Sequence, residues 1–183
     1  MPAFPELAEP LEDGTVRLRL AAERDIPEIL IAYQDDPDLC ERLGESRPPS
    51  GAELGRMAEG ADWERQGGRR VALTILERGS DACRGRITVH DIDWERASAE
   101  LDIWVAPQYR GRGFAPRALK ASASWLLESC GLRRVELLTE TDNQPMMAAA
   151  RAAGFVNEGV RHIYIGDRGE NVEEVVWSLS REQ

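Results

Sequence analysis

The chain has 183 residues and a formal net charge of -10, a size that suits one domain with a substantial core and a charge that argues against a nucleic-acid binder, which needs a basic face. No run of about eighteen apolar residues is present to cross a membrane. Pro2, Pro5, Glu6, Glu9 and Pro10 occupy the place where a signal peptide needs basic and then apolar residues, so a soluble, cytoplasmic protein is expected. Cys40, Cys83 and Cys130 are far apart, and His90 and His162 stand in no ligand motif, which predicts reduced thiols and no metal.

Residues 1–13 lack periodicity and read as a tail or arm, with a single domain over 14–183. Thr15 to Leu20 alternates apolar and charged residues, the mark of a half-buried strand. Asp25 with Glu28, and Ser50 with Glu53, have capping-box spacing ahead of helical periodicity, predicting helices from about Asp25 and from Ser50 to about Gln66. A short helical turn and loop fill the interval between them. Val71–Glu77 and Gly85–Ile92 predict a hairpin around Gly79-Ser80-Asp81, followed by a strand over Ala99–Ala106. Leu119, Ala123, Leu126, Leu127 and Cys130 form the apolar stripe of a helix closed by Gly131. A strand at Val135–Leu138, a helix over Gln144–Ala153 and two strands at Phe155–Ile165 and Val172–Leu179 around residues 166–169 complete the chain. This order predicts an α+β domain: a mixed, mostly antiparallel central sheet of about seven strands flanked by about four helices.

Between the strand ending at Ala106 and the following helix lies Arg110-Gly111-Arg112-Gly113-Phe114-Ala115. Glycines there remove the Cβ atoms that obstruct a phosphate, and the helix start offers unpaired N–H groups. A nucleoside-triphosphatase loop needs Lys and then Ser or Thr after its last Gly, where this chain has Phe114-Ala115. A dinucleotide fingerprint needs Gly or Ala where Pro116 stands. The hexapeptide resembles the acetyl-coenzyme A loop of the GCN5-related N-acetyltransferases (GNAT), with Arg110, Gly113 and Ala115 filling its pattern. Asn143, Gly154-Phe155 and Glu158-Gly159 extend the resemblance, and Trp104-Val105-Ala106-Pro107 is similar to the ribosomal-protein (RimJ/RimL-like) branch.

The resemblance implies the acyl-CoA N-acyltransferase fold and acetyl transfer from acetyl-CoA to a primary amine, by direct attack in a ternary complex. Backbone groups of Ile103, Trp104 and Val105 would hold the pantetheine arm. The N–H groups of Arg110, Gly111, Arg112, Gly113, Phe114 and Ala115 would take the pyrophosphate, with Arg112 near it and Arg110 open between binding and structure. Asn143 is either a hydrogen-bond partner of the pantetheine or a helix cap. Strand alternation puts Leu101, Ile103 and Val105 toward the core and Glu100, Asp102 and Trp104 toward the cleft. Glu100 is thus the first candidate base and Asp102 the second, against the alternative of solvated strand carboxylates. Ala150 and Met146 replace a Tyr and a Ser common in the family, leaving water, Tyr109 or Tyr164 to protonate the thiolate. His90 beside Asp91 and Asp93, and His162, are open between chemistry and packing, as are Trp63 and Trp94 between an acceptor pocket and packing. The expected acceptor is a protein N-terminus or a small-molecule amine such as an amino acid, polyamine or antibiotic. A non-catalytic acyl-CoA sensor is the alternative, and a homodimer is carried as an expectation.

Overall fold

The computed structural model describes residues 3–165 and 170–181, and the side chains of 163–165, 170 and 171 stand outside that description. Its strands are β1 (Leu11–Asp13), β2 (Val16–Leu20), β3 (Val71–Glu77), β4 (Gly85–Asp93), β5 (Ser98–Val105), β6 (Arg134–Glu140), β7 (Val156–Ile165) and β8 (Glu170–Ser180). The helices are α1 (Ile26–Asp35), α2 (Leu39–Arg42), α3 (Gly51–Gln66), α4 (Phe114–Glu128) and α5 (Gln144–Ala152). One sheet runs in the order β1-β2-β3-β4-β5-β6-β8-β7. Every pairing is antiparallel except β5 with β6, and α4 supplies the crossover that a parallel neighbour requires. The α+β expectation holds, with two additions. Leu11–Asp13, read from sequence as part of the arm, pairs with β2 as an edge strand, and the turn after Pro37 is the short helix α2.

Period-two alternation divides the sheet into two faces. Leu18, Ile75, Ile87, Ile103 and Leu101 bury one face together with Ala118, Leu119, Ala123 and Leu126 of α4 and Phe155. Each fully buried Leu or Ile there contributes about 1.5–3 kcal/mol. The opposite face packs Trp104 with Ile29, Ala32, Leu39 and Leu54, under α1 and α3. It also carries a polar row from β3 through β5, and this row is the floor of the cleft described below.

The two capping spacings have different fates. Ser50 accepts from Glu53 N while Glu53 Oε2 accepts from Ser50 N at 2.8 Å, a complete capping box for α3. Asp25 makes no cap bond to α1. Its buried carboxylate instead accepts from Arg19 at 2.7 and 3.0 Å, Thr74 Oγ1 at 2.5 Å and Ala22 N at 3.0 Å. The turn at 166–169 lies outside the described residues.

Candidate active site

The glycine loop is built by torsion. After a 3-10 turn at Pro107–Tyr109, Gly111 and Gly113 adopt φ of +72° and +79°. Gly113 is the N-cap of α4, which has no side-chain cap and no acidic residue in its first turn. An added Cβ at Gly111 would meet nothing within 4 Å, so the glycine requirement there is left-handed backbone rather than crowding. The uncapped N–H groups and the dipole at this helix start favour an anion.

The loop's arginines divide by role. Arg110 Nε donates to Val105 O at 2.9 Å, and its Nη2 pairs with the buried Asp36, which also holds Arg42 at 2.5 Å. Burial alone would raise the Asp36 carboxyl, but the Arg110 hydrogen bond and the charges of Arg110 and Arg42 hold it below its ordinary value. Arg110 therefore straps the loop to α1 and β5, the structural alternative left open by the sequence. Arg112 is exposed, lies 5.5 Å over the Tyr109 ring and makes no ion pair among the described residues. Arg117 was missed in the sequence, although it stands one helical turn after Gly113. Its Nε lies 3.7 Å from where a Gly113 Cβ would stand, and it too forms no ion pair among the described residues.

Next to this loop the sheet opens. β5 is paired with β4 as far as Val105, but with β6 only at Ser98, Ala99 and Glu100. β6 continues to Glu140 against β8. The backbone of β5 from Leu101 to Val105 therefore has no strand partner on its β6 side among the described residues, leaving hydrogen-bonding groups for an extended ligand. Ile103, Trp104 and Val105 lie along this free edge. Asn143 Oδ1 accepts from Met146 N at 3.2 Å and caps α5, and its amide nitrogen makes no hydrogen bond among the described residues. Capping thus leaves a donor available.

Glu100, Asp102 and Trp104 share the cleft face, while Leu101, Ile103 and Val105 are buried on the other. Opposite Glu100, β4 carries a bulge between His90 and Asp93, with Asp91 at φ +46°. The extra residue puts Asp91 beside His90, which simple alternation would not do. His90 Nδ1 lies 2.8 Å from Asp91 Oδ2, and Nε2 lies 3.0 Å from Asp102 Oδ2. Asp102, and then Asp91, push the imidazole up to about 9 despite its partial burial. Ligand atoms of His90, Asp91 and Glu100 lie within 4.8 Å of one another, so a cation there would compete with the proton that Asp102 and Asp91 favour on His90.

Glu100 is different. Its carboxyl is raised by burial, then by Asp91, with Arg161 Nη1 3.8 Å away as a partial counter-charge. Across the opening, burial and then Asp102 and Glu140 raise Glu174 as well. Arg161 also reaches Glu136 at 3.2 Å. The cleft rim is acidic, with few cations set against its carboxylates.

The remaining candidates are mainly structural. Tyr109 OH accepts from Arg84, Trp94 donates to Gly68 O at 2.8 Å and packs against Phe4, and Trp63 is exposed under Arg69. His162 is exposed beside Glu173. Ala150 is fully buried and supplies no proton donor. The Tyr164 side chain lies outside the described residues. No helix among those residues is long and apolar enough to cross a membrane.

A mixed sheet that parts beside a left-handed glycine loop at a helix start is the architecture of the acyl-CoA N-acyltransferases. The chain belongs to the acetyltransferase (GNAT) domain family, whose sequence profile matches residues 15–156, and it is an N-acetyltransferase. It is 26% identical over 178 residues to YdaF of Bacillus subtilis (strain 168), to which a ribosomal N-acetyltransferase role is provisionally assigned, covering 92% of each chain. It is 26% identical over 103 residues to the spermidine N(1)-acetyltransferase of Vibrio cholerae, covering 55% of this chain and 60% of that one. Mycobacterium smegmatis RimJ in complex with a CoA disulfide superposes with a TM-score of 0.78 at 23% identity, covering 94% and 86% of the two chains.

Proposed function

We propose that the protein acetylates a protein amino terminus from acetyl-CoA by direct attack in a ternary complex. The observation carrying this reading is the parting of β5 from β6 after Glu100, which sets a free backbone edge, the glycine loop and a raised carboxyl around one opening. Acetyl-CoA supplies the activated acetyl thioester. The edge at Ile103–Val105 orients the pantetheine arm and offers an N–H to the thioester carbonyl. Gly111 to Ala115, with Arg112 and Arg117, hold the pyrophosphate. Glu100, raised by burial, takes the proton of the incoming ammonium directly or through water, while Asp102 is occupied by His90. The departing thiol has an ordinary pKa of about 8.5, so water suffices to protonate it where Ala150 offers nothing. The relationship to YdaF, and the RimJ structural neighbour, support a protein acceptor.

The acidic rim and the spermidine acetyltransferase relatives favour a second reading, a polyamine acceptor. Release of free coenzyme A with short peptides or with spermidine separates the two. Peptide-dependent release is the expected outcome, and release with spermidine alone moves the assignment to polyamines. Binding of acetyl-CoA with neither acceptor consumed would sink catalysis in favour of a sensor.

A further inference from the structure

A cavity of about 290 Å³ lies away from the glycine loop, between α3 and the β2–β3 side of the cleft face. Leu20, Ile26, Leu54, Met57 and Ala72 give it apolar walls, and Arg56, Arg70 and Arg86 line it. None of these three arginines has a hydrogen bond or ion pair among the described residues. This is unusual in a chain with 33 acidic residues and 23 basic ones, where surplus carboxylate is available for pairing. The two carboxylates at the cavity are engaged, Asp62 with Arg65 and Glu64 with Arg69.

Arg86 is the most telling of the three. It stands on β4 between Thr74 and Trp104 in the cross-strand row, and its Nε is closed to solvent without a partner among the described residues. Burial pushes its guanidinium below the ordinary value, with Cys83 and Asp25 only partly compensating and Arg70 adding repulsion. Asp25, the nearby carboxylate, already accepts from Arg19, Thr74 and Ala22. Arg86 as a whole is half-buried, but its sequestered Nε has no acceptor among the described residues, which leaves a donor for a ligand.

The cavity also has a fixed relation to the reaction centre. Ala72 on its floor pairs with Thr88, and Thr88 pairs with Asp102. Two interstrand steps therefore separate them, about 10 Å along the same face. An extended peptide covers that span in about three residues.

We propose that this cavity is an anion subsite of the acceptor cleft, in which Arg86, with Arg70 and Arg56, takes a carboxylate within the first four residues of the peptide whose amino terminus is acetylated. The subsite rests on the amino-terminal acetyltransferase reading and sharpens it: the acidic fork receives the ammonium, and the basic cavity receives a side-chain carboxylate further along the same chain. A polyamine has nothing to place there.

The test has two arms on the full chain. In the first, succinate is titrated into the protein and into Arg86→Gln and Arg70→Gln, followed through the arginine Nε resonances. Saturable binding, weakened roughly tenfold or more by Arg86→Gln, is expected, and Arg70→Gln, at an exposed position, keeps the arm decisive if Arg86→Gln does not fold. Equal shifts in all three proteins overturn the subsite and leave the amino-terminal reading untouched. In the second arm, acetylation of Ser-Ala-Glu-Ala amide is compared with that of Ser-Ala-Ala-Ala amide. The acidic peptide is expected to have a kcat/KM roughly tenfold higher or more, a preference that the arginine variants abolish while the neutral peptide is unaffected. Equal rates overturn the proposal. Acetylation of spermidine with neither peptide consumed sinks the amino-terminal reading and the acceptor role of the subsite with it.

Discussion

Glu100 and Asp102 are two residues apart on one strand face, yet they sit in different electrical company. Asp102 faces the His90 imidazolium, whereas Glu100 is raised by burial and by Asp91. Glu100→Gln is expected to lower kcat/KM about 100-fold and to remove an ionisation limb lying above the ordinary carboxylate range, checked by initial rates across pH. His90 gives a prediction about stability. Its folded value of about 9 lies above the ordinary 6.5, so its contribution is complete below about pH 6.5 and is lost as pH rises through 9. After solvent screening this amounts to roughly 1–2 kcal/mol. Urea titrations of His90→Gln should show a flatter stability profile across that window, and an unchanged slope would remove the ion pair from the account. Alternation along β5 made Glu100 and Asp102 legible in the sequence. Asp91 was not legible as their neighbour, because a single inserted residue in β4 reverses the side it faces.

At the scale of the element, strand-loop-helix order and the glycine spacing were readable because they rest on local torsions and periodicity. The loop's fastening was not. Asp36 is 74 residues from Arg110, and nothing in either local pattern announces that pair. The Asp25 spacing located the start of α1 but not the fate of the carboxylate, which Arg19 of β2 and Thr74 of β3 divert from capping. Gly113→Val forces a β-branched residue to φ +79°, at a cost of about 1–3 kcal/mol in the loop. Loss of coenzyme A binding with an intact circular dichroism spectrum is expected, and unaltered affinity would dismiss the pyrophosphate role.

At the scale of the molecule, the amino-terminal arm is part of the core. Phe4 is 1% exposed, packs in tilted ring contacts against Trp94 and Trp125, and exchanges hydrogen bonds with Arg65 at 3.2 and 2.9 Å. Truncation by Phe4→Ala should cost about 3–5 kcal/mol in urea unfolding, although the sequence around it shows only prolines and no period. A lone aromatic anchored by non-local contacts leaves no periodic signal.

The parting of the sheet reaches beyond binding. Five strands on one side and three on the other meet, among the described residues, in a short ladder of Ser98, Ala99 and Glu100 with Arg134, Val135 and Glu136, extended by Arg133 and Arg134 N–H groups donating to Ala97 O. One core with α4 packs across both halves of the sheet, and a ligand laid along β5 adds a splint at the edge where the ladder is open. Amide hydrogen exchange read strand by strand should slow most in β5 and β6 when coenzyme A is added, while β2 and β3 keep their rates. Protection spread evenly over all strands would mean that the two halves already move as one.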